Sequence, residues 1–357
     1  MRRRRLDDAG HHGRTLKGVA HAPRIAVVGA GSLIGEAILA ELRLRAFAGP
    51  APAALDDARD LGRPLEIEGE SVAVRDVAGF DFAQADIVFF CSRSAVSQRY
   101  AEAAAAHAWV IDGSGAFRGR PDVPLIAADV NPGALRAVGA HGLIALPGSA
   151  SVALATVLAP LHAQAGLERV EVATYHAVSG GGREAVADLA AEAARLLSGR
   201  PGRSASSARQ TAFNAVPLVD VLEADGASAE EHRLSTETRR VLGLADLPIN
   251  ATAVRVPVFF GHGLVVHLRT VRALSAAAAA DALQCSSGVA MLDTGSGDPL
   301  PTPAMSALNP DRVYVGRLRE DRTRDRSLNF WAVADNVRKC AAHNAVSVAQ
   351  ILVNRSQ

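Results

Sequence analysis

Cysteine is scarce in this chain, and the spacing of the few cysteines excludes several structural roles. The 357 residues contain three of them, Cys91, Cys285 and Cys340. They lie far apart and never form a C-x-x-C pair, which argues against a disulfide framework and against a thiolate metal site. We therefore expect a protein of the reducing cytoplasm that holds no metal.

An excess of charge of either sign is also missing. Lysine and arginine together number 38 and aspartate and glutamate 37, so the formal net charge is +1. This balance does not favour nucleic acid or an anionic membrane as a partner. No stretch reaches the roughly 18 apolar residues that a membrane-spanning helix needs. The chain is expected to be soluble, with neither nucleic acid nor membrane among its partners.

Apolar residues are sparse at the start of the chain, which opens with Arg2 to Arg5 and continues through His11 and His12. The apolar core of a signal peptide is not present there. We interpret residues 1–22 as a flexible tail. Contact of its arginines with nucleic acid, or of its histidines with a metal, is the alternative.

Elsewhere the chain is rich enough in apolar residues, at 49%, to form two buried cores. Residues 24–29 form an apolar run that enters a G-x-G-x-x-x-G turn at Gly29, Gly31 and Gly35, followed by a helical pattern. Such a turn lets backbone N–H groups approach a phosphate; a strand-to-helix turn without a ligand is the alternative. Strands at 85–90 and 109–112, with a helix at 97–107 between them, indicate a Rossmann-type doubly wound parallel sheet.

A different pattern follows residue 147. Helices are expected at 150–164 and from the Gly180-Gly181-Gly182 turn to about 197, with a strand at 169–175 and a Gly/Ser/Arg loop at 199–210. Strands at 253–260 and 263–270 are predicted to pair as an antiparallel hairpin within a mixed sheet. We therefore predict one domain from residues 23–147 with 336–357, to which the last helix, 336–353, returns. Residues 148–335 form a second, α+β domain.

Two segments have the character of a catalytic site. Ser149 lies near a helix N-terminus, where the helix dipole favours an anionic nucleophile, although an N-cap role is the alternative. His262 stands between two glycines, which leaves its imidazole free to reach a substrate. Arg255 precedes His262 by seven residues, so on a regular strand the two side chains point to opposite faces unless a bulge intervenes.

Several ordered motifs resemble those of the aspartate-semialdehyde dehydrogenase family over about residues 23–354. The stretches that carry the resemblance are Asp112-Gly-Ser-Gly-Ala-Phe-Arg118, Thr174-Tyr-His-Ala-Val-Ser-Gly180, Phe213-Asn-Ala-Val-Pro217, Glu237-Thr-Arg-Arg, Arg255 to His262, and Asp335-Asn-Val-Arg-Lys with Asn344-Ala-Val. The resemblance implies the family reaction, the NADP- and phosphate-dependent interconversion of aspartate semialdehyde and aspartyl phosphate in amino-acid biosynthesis. In that reaction a cysteine thiolate attacks the aldehyde, and a histidine acts as acid and base.

The resemblance also assigns residues by position. Arg118 corresponds to the phosphate-site arginine, Arg255 to the arginine that binds the substrate carboxylate, and His262 to the acid/base histidine. Arg233 replaces the family's lysine beside a pair of acids, of which Glu231 is expected to contact the substrate.

The nucleophile position departs from the family. Its Asn-Pro-Asn-Cys reads Leu146-Pro147-Gly148-Ser149 here, and its Thr-Tyr-Gln glutamine reads His176. A serine hydroxyl is far less ionised than a thiol, whose pKa is about 8.5. Leu146 also removes a hydrogen-bonding side chain. We therefore expect the family activity to be lost or strongly impaired.

The cofactor side departs as well. Cys91-Ser92-Arg93-Ser94 replaces the family's Ser-Ala-Gly-Gly loop, so Arg93 either blocks the site or attracts an anion, while Cys91 is read as a small buried thiol rather than a displaced nucleophile. Asp60 stands where a serine helps to hold the adenosine 2′-phosphate, which favours NAD over NADP. The residues expected to contact a dinucleotide are Gly29, Gly31, Ser32, Leu33, Ile34, Arg59, Ser92 and Asn336.

The sequence thus predicts a Usg-type pseudoenzyme of this family, a homodimer that binds NADP or NAD if it binds a cofactor and accepts a small semialdehyde or acyl ligand. Two alternatives stay open. One is an acyl-transfer hydrolase that uses Ser149 and His262. The other is a non-catalytic interaction subunit of an active paralogue.

Overall fold

The described part of the chain forms a parallel sheet, a mixed sheet, a small hairpin and the helices that cover them. This computed structural model describes residues 22–45, 47, 50–58, 61, 65–67, 69–202, 209–292, 300–306 and 309–355. Apart from residue 22, the predicted N-terminal tail lies outside the described residues, as do residues 203–208 of the predicted loop at 199–210.

The first sheet is parallel and has the order β5-β2-β1-β6-β7-β8. Its strands, with the hairpin β3–β4, are β1 (Ile25–Val28), β2 (Ala53–Asp56), β3 (Leu65–Ile67), β4 (Glu70–Val72), β5 (Val74–Asp76), β6 (Ile87–Phe90), β7 (Trp109–Asp112) and β8 (Gly142–Ala145). The central strands β1 and β6 are buried along their whole length. Burial on both faces explains why these strands are continuously apolar rather than alternating.

Helices cover this sheet and begin or end at its carboxyl edge. Helices α1 (Leu33–Leu44) and α2 (Ser94–Ala105) follow β1 and β6, and α1 is capped by Ser32, whose hydroxyl accepts a hydrogen bond from Gly35 N at 2.9 Å. The C-terminal segment starts as a π-helix at Arg338–His343 and continues as α8 (Asn344–Arg355), which packs on the core under β1 and β6. The predicted last helix therefore begins later and less regularly than its apolar pattern indicated.

The second sheet is mixed, with the order β10-β9-β11-β14-β13-β12. Its strands are β9 (Leu167–His176), β10 (Ile249–Arg255), β11 (His262–Thr270), β12 (Val289–Met291), β13 (Val313–Glu320) and β14 (Ser327–Ala334). The helices of this region are α3 (Ser149–Ala165), α4 (Gly182–Leu197), α5 (Ala229–Leu242), α6 (Ala276–Gln284) and α7 (Pro303–Ser306). Helix α3 starts at the carboxyl edge of the first sheet, and its apolar side chains join the core of the second.

The predicted hairpin between residues 253–260 and 263–270 is wrong. Strand β10 ends at Arg255, and β9 lies between β10 and β11. Strand β10 runs parallel to β9, with Arg255 opposite His176, while β11 runs antiparallel to β9, with Gly263 opposite Tyr175. Pro257 falls in the segment between the two strands, where a missing N–H would interrupt a ladder. The ends of the two strands consequently meet on either side of His176.

The predicted fold class, a Rossmann-type parallel sheet with a second domain built on a mixed sheet, is confirmed. Among the described residues, every helix is too short or too polar to cross a membrane.

Candidate active site

Ser149 is the first residue of α3, directly after the turn that follows β8. Gly148 takes the N-cap position with an extended backbone, so the alternative reading of Ser149 as the cap is wrong. Among the described residues, the Ser149 hydroxyl has no hydrogen-bond partner. The hydroxyl therefore stands at the positive end of a helix without serving its structure.

The turn that carries Ser149 is positioned from two other segments. Gly148 N donates to Glu237 Oε2 of α5 at 2.7 Å, and Arg118 donates through Nε to Leu146 O at 2.8 Å. Arg118 also donates to Gly113 O at 3.1 Å, and its Nη1 lies 3.6 Å from Glu237 Oε1. Arg118, expected at a phosphate site, thus stabilises the Ser149 turn through part of its donor set. Glu237 belongs to a motif that the sequence singled out, but its contact with Gly148 depends on tertiary packing.

His262, the first residue of β11, is 2% exposed. Its Nδ1 accepts a hydrogen bond from Ala177 N at 3.1 Å. Burial, with positive charge at Arg255 close by, lowers the pKa of His262 well below 6.5, so the ring is neutral at physiological pH. Because Nδ1 accepts a proton donor, the ring's own proton resides on Nε2.

Arg255 lies next to His262 although their spacing placed them on opposite faces. Its Nη1 donates to Ala177 O at 2.7 Å, so one backbone residue binds both side chains. Gly180 packs beside both side chains, since a Cβ built there would lie 3.4 Å from Arg255 Nη1 and 3.5 Å from His262 Cε1. Arg255 also borders a cavity of about 370 Å³ beside α4. Arg255 and His262 lie close together because β10 ends at Arg255 and β11 begins at His262.

His176, at the family's glutamine position, packs against His262 with ring centroids 4.5 Å apart. Its Nε2 contacts Thr174 Oγ1 at 2.9 Å and lies 3.9 Å from Glu230 Oε1. Burial, followed by the charges of Arg255 and Arg233, lowers the pKa of His176 to about 3. Both imidazoles are therefore neutral neighbours rather than a charged pair.

Arg233 is paired with acids, but not with Glu231. Its Nη2 donates to Asp220 at 2.5 Å and to Glu230 at 2.7 Å. The carboxylate of Glu231 instead accepts from Ser228 N at 2.6 Å in a capping box and from Ala253 N at 2.7 Å on β10. Glu230 lies three residues before Arg233 on the same helix face. It is therefore Glu230, and not the expected Glu231, that lies beside Arg233.

The glycine turn after β1 has the shape that a dinucleotide requires. Gly29 has φ +88°, and a Cβ there would lie 2.7 Å from Ser92 N. Ser92 Oγ is buried and without a partner among the described residues. Leu33 and Ile34 open α1, whose first N–H groups face this edge. A close backbone approach, a helix N-terminus and an unused buried hydroxyl together fit a phosphate-bearing cofactor.

Acidic side chains surround the same turn. Asp56, the last residue of β2, is 3% exposed and accepts from Gly31 N at 2.9 Å. Asp57 forms an ion pair with Arg93 at 2.5 Å, which links the ends of β2 and β6 across β1. Arg59 and Asp60 lie outside the described residues. The run Asp56-Asp57 at the end of an apolar strand is the signal that could have located these carboxylates.

Asn336 and Cys91, which the sequence analysis also named, are buried. Asn336 is 4% exposed, and its Oδ1 accepts from Ser179 Oγ at 3.1 Å and from Gly261 N at 3.0 Å, so it connects the loop after β9 to the start of β11. Burial raises the pKa of the Cys91 thiol to about 12, which leaves Cys91 un-ionised at neutral pH.

Two family models match this chain along most of its length. The semialdehyde dehydrogenase NAD binding domain matches residues 24–138, and the semialdehyde dehydrogenase dimerisation domain matches residues 158–339. The chain belongs to the aspartate-semialdehyde dehydrogenase family. The predicted family is therefore confirmed, and the match to the NAD binding domain covers the first sheet up to residue 138.

Individual relatives agree with this assignment. The chain is 37% identical over 329 residues to aspartate-semialdehyde dehydrogenase of Legionella pneumophila, covering 92% of this chain and 95% of that protein. It is 35% identical over 334 residues to the USG-1 protein homolog of Azotobacter vinelandii, covering 93% and 98%. The crystal structure of aspartate semialdehyde dehydrogenase II from Vibrio cholerae matches with a TM-score of 0.89 and 35% identity, covering 94% of this chain and 99% of that one.

The burial of His176 predicts a pH dependence of stability. Its pKa is about 3 in the native chain against 6.5 without burial, so the unfolded chain binds the proton first as pH falls. The stabilisation is present above pH 6.5 and is lost between pH 6.5 and pH 3, by up to about 1.4 kcal/mol per pH unit. His176→Gln should flatten the decline of the free energy of unfolding between about pH 7 and pH 5.

Urea unfolding at several pH values measures this decline. His107→Gln, at an exposed histidine, is the matched control and should keep the wild-type slope. A His176→Gln variant with the wild-type slope would show that His176 takes up its proton at the same pH in the native and the unfolded chain.

Proposed function

We propose that this chain binds a nicotinamide dinucleotide but has largely or completely lost the family's catalytic activity. That activity is the phosphate-dependent oxidation of aspartate semialdehyde. The observation that carries this proposal is Ser149, which stands at the nucleophile position indicated by the family motif and makes no hydrogen bond to a base among the described residues.

The state of His262 supports the proposal. A serine needs a general base within hydrogen-bond reach to attack a carbonyl, because its hydroxyl does not ionise near neutral pH. In His262, Nδ1 is occupied by Ala177 N–H and Nε2 carries the ring proton, so the neutral ring has no free lone pair for that role. The same arrangement weighs against the acyl-transfer hydrolase. It does suit a histidine that donates a proton to a developing oxyanion.

The surroundings support retention of a small carboxylate ligand. Arg255 is largely buried beside a cavity and uses Nη1 on Ala177 O, which leaves further N–H donors. Arg233 and Glu230 lie close by as an ion pair. A buried guanidinium is a suitable bidentate receptor for the carboxylate of a semialdehyde or acyl ligand. We therefore expect a loss of turnover with carboxylate binding retained.

Replacement of the nucleophile tests this function. Ser149→Cys should raise phosphate-dependent reduction of NAD or NADP with aspartate semialdehyde by about 10³-fold or more over Ser149→Ala, on the scale of the losses seen when a nucleophile is removed. Wild type should lie near Ser149→Ala. A wild-type rate within tenfold of that of an active Ser149→Cys variant would refute the proposal. Labelling of Ser149 by a fluorophosphonate probe in the folded protein would favour the hydrolase instead.

We further propose that the chain prefers NAD to NADP. Asp56 and Asp57 lie at the end of β2, the position from which an acidic side chain binds a ribose hydroxyl in this type of fold, and carboxylates there repel a 2′-phosphate. Asp57→Ser should strengthen NADP binding about tenfold, a change of about 1.4 kcal/mol, and weaken NAD binding, because the ribose hydroxyl loses its carboxylate acceptor. Isothermal titration measures both. Tighter binding of NADP than NAD by the wild-type chain would contradict the preference.

A homodimer formed through the second domain is part of the proposal. Among the described residues, the large apolar side chains that are exposed lie between residues 197 and 300, with the exception of Leu44; they are Leu197, Phe213, Val221, Leu222, Phe259, Val271 and Leu300. This region falls within the match to the dimerisation domain. We expect some of these side chains to be buried between the two copies, because burial of apolar groups favours association. Light scattering should give twice the chain mass of 37.1 kDa. A monomer that co-purifies with a different, cysteine-bearing chain would instead favour the interaction subunit.

A further inference from the structure

Arg183, the second residue of α4, belongs to the second domain but contacts the glycine turn of the first. Its Nη2 forms an ion pair with Glu36 Oε1 at 2.5 Å and lies 3.5 Å from Gly31 O. Gly31 is the middle glycine of the turn, and Glu36 lies in the first turn of α1. Arg183 is therefore a cation supplied by one domain at the phosphate-binding turn of the other.

The donors of Arg183 are only partly used. Its Nε is buried and has no hydrogen-bond partner among the described residues, whereas Nη2 contacts Glu36 and Gly31. A guanidinium has five N–H donors in a planar arrangement that matches two phosphate oxygens. A buried donor without an acceptor is costly, so an oxygen acceptor that arrives at this position would relieve that cost.

The local charges explain why a cation is needed there. The N-terminus of α1 attracts an anion through its free N–H groups and its dipole. The carboxylate of Glu36 in the first turn of α1 offsets part of this positive potential and would repel a pyrophosphate. Arg183 neutralises Glu36 and adds positive charge on the same side of the turn. Glu36 thus holds the arginine in position while weakening the anion site.

We propose that Arg183 donates hydrogen bonds to the pyrophosphate of the bound dinucleotide, so that the second domain completes the cofactor site of the first. This inference rests on the dinucleotide binding proposed above. The proposed contact comes from α4, whereas the sequence analysis placed the cofactor site at the glycine turn and the adjacent strand ends. Correct docking of the two domains then becomes a condition for tight cofactor binding.

Two substitutions with opposite expected effects test the proposal in titrations of the full chain with NAD, ADP-ribose and adenosine. Arg183→Met should weaken NAD and ADP-ribose binding by about 10- to 100-fold, the range for a charge-assisted hydrogen bond, and leave adenosine binding unchanged because adenosine lacks a pyrophosphate. Glu36→Gln should tighten NAD binding, since it removes the repulsive charge and leaves the arginine. Arg183→Lys should lie between wild type and Arg183→Met.

Controls separate this role from a structural one. Arg195→Met, at an exposed position on the last turn of α4, should bind NAD like the wild type. If Arg183 served only as the ion-pair partner of Glu36, both substitutions would change NAD binding in the same direction, and adenosine would follow NAD. That result, or an unchanged affinity in Arg183→Met, overturns the proposal. A wild-type chain that binds no dinucleotide overturns both the proposed cofactor binding and the Arg183 contact. Failure of the Arg183 contact alone leaves wild-type NAD binding intact.

Discussion

The arrangement of the site depends on the backbone of Ala177, a fully buried residue that bonds to side chains from two strands. Its N–H donates to His262 Nδ1 at 3.1 Å and its carbonyl accepts from Arg255 Nη1 at 2.7 Å. Buried backbone groups that lose their partners are costly, so these bonds fix both side chains and, in His262, the tautomer. Removal of either side chain would leave Ala177 with an unpaired group and would allow the other side chain to move. The same residue precedes the Gly180-Gly181-Gly182 segment, so the loop that leads into α4 and Arg183 is positioned from this point.

The turn that carries Ser149 is stabilised without its hydroxyl. Glu237 binds Gly148 N, and Arg118 binds Leu146 O and Gly113 O, while the Ser149 hydroxyl takes no part. An exchange of sulfur for oxygen at residue 149 is therefore compatible with the same backbone geometry. Nucleophilicity, in contrast, depends on the ionisation of that one atom, because a thiol ionises near neutral pH and an alcohol does not. The stability of this turn and the reactivity of the side chain at residue 149 are therefore separable.

At the cofactor edge, a close approach of two backbone segments lies among several charged side chains. Gly29 permits the close approach of the β1 turn to Ser92, as any strand-turn-helix unit for phosphate requires. Around that turn the chain places carboxylates at Asp56, Asp57 and Glu36, two of which are paired with arginines, Arg93 and Arg183. Such pairs lower the net negative charge without removing it. Selectivity among anionic ligands then depends on how each arginine divides its donors between the carboxylate and the ligand.

Sequence alone determined the class of fold, because the alternation of apolar strands with helices and the glycine turn are local patterns that follow from backbone geometry. It also located the Ser149, Arg118, Arg255 and His262 segments through ordered motifs. It could not decide which strands are neighbours: residues 253–270 read as a hairpin, whereas β9 lies between the two strands and only that order places Arg255 beside His262. Nor could it decide between Glu230 and Glu231, since adjacent helical residues point in different directions and the choice depends on what packs beside them. Tertiary structure alone brought Glu237 to Gly148 and Arg183 to the glycine turn, because those contacts join segments 89 and 152 residues apart, and no local pattern encodes a contact at that separation.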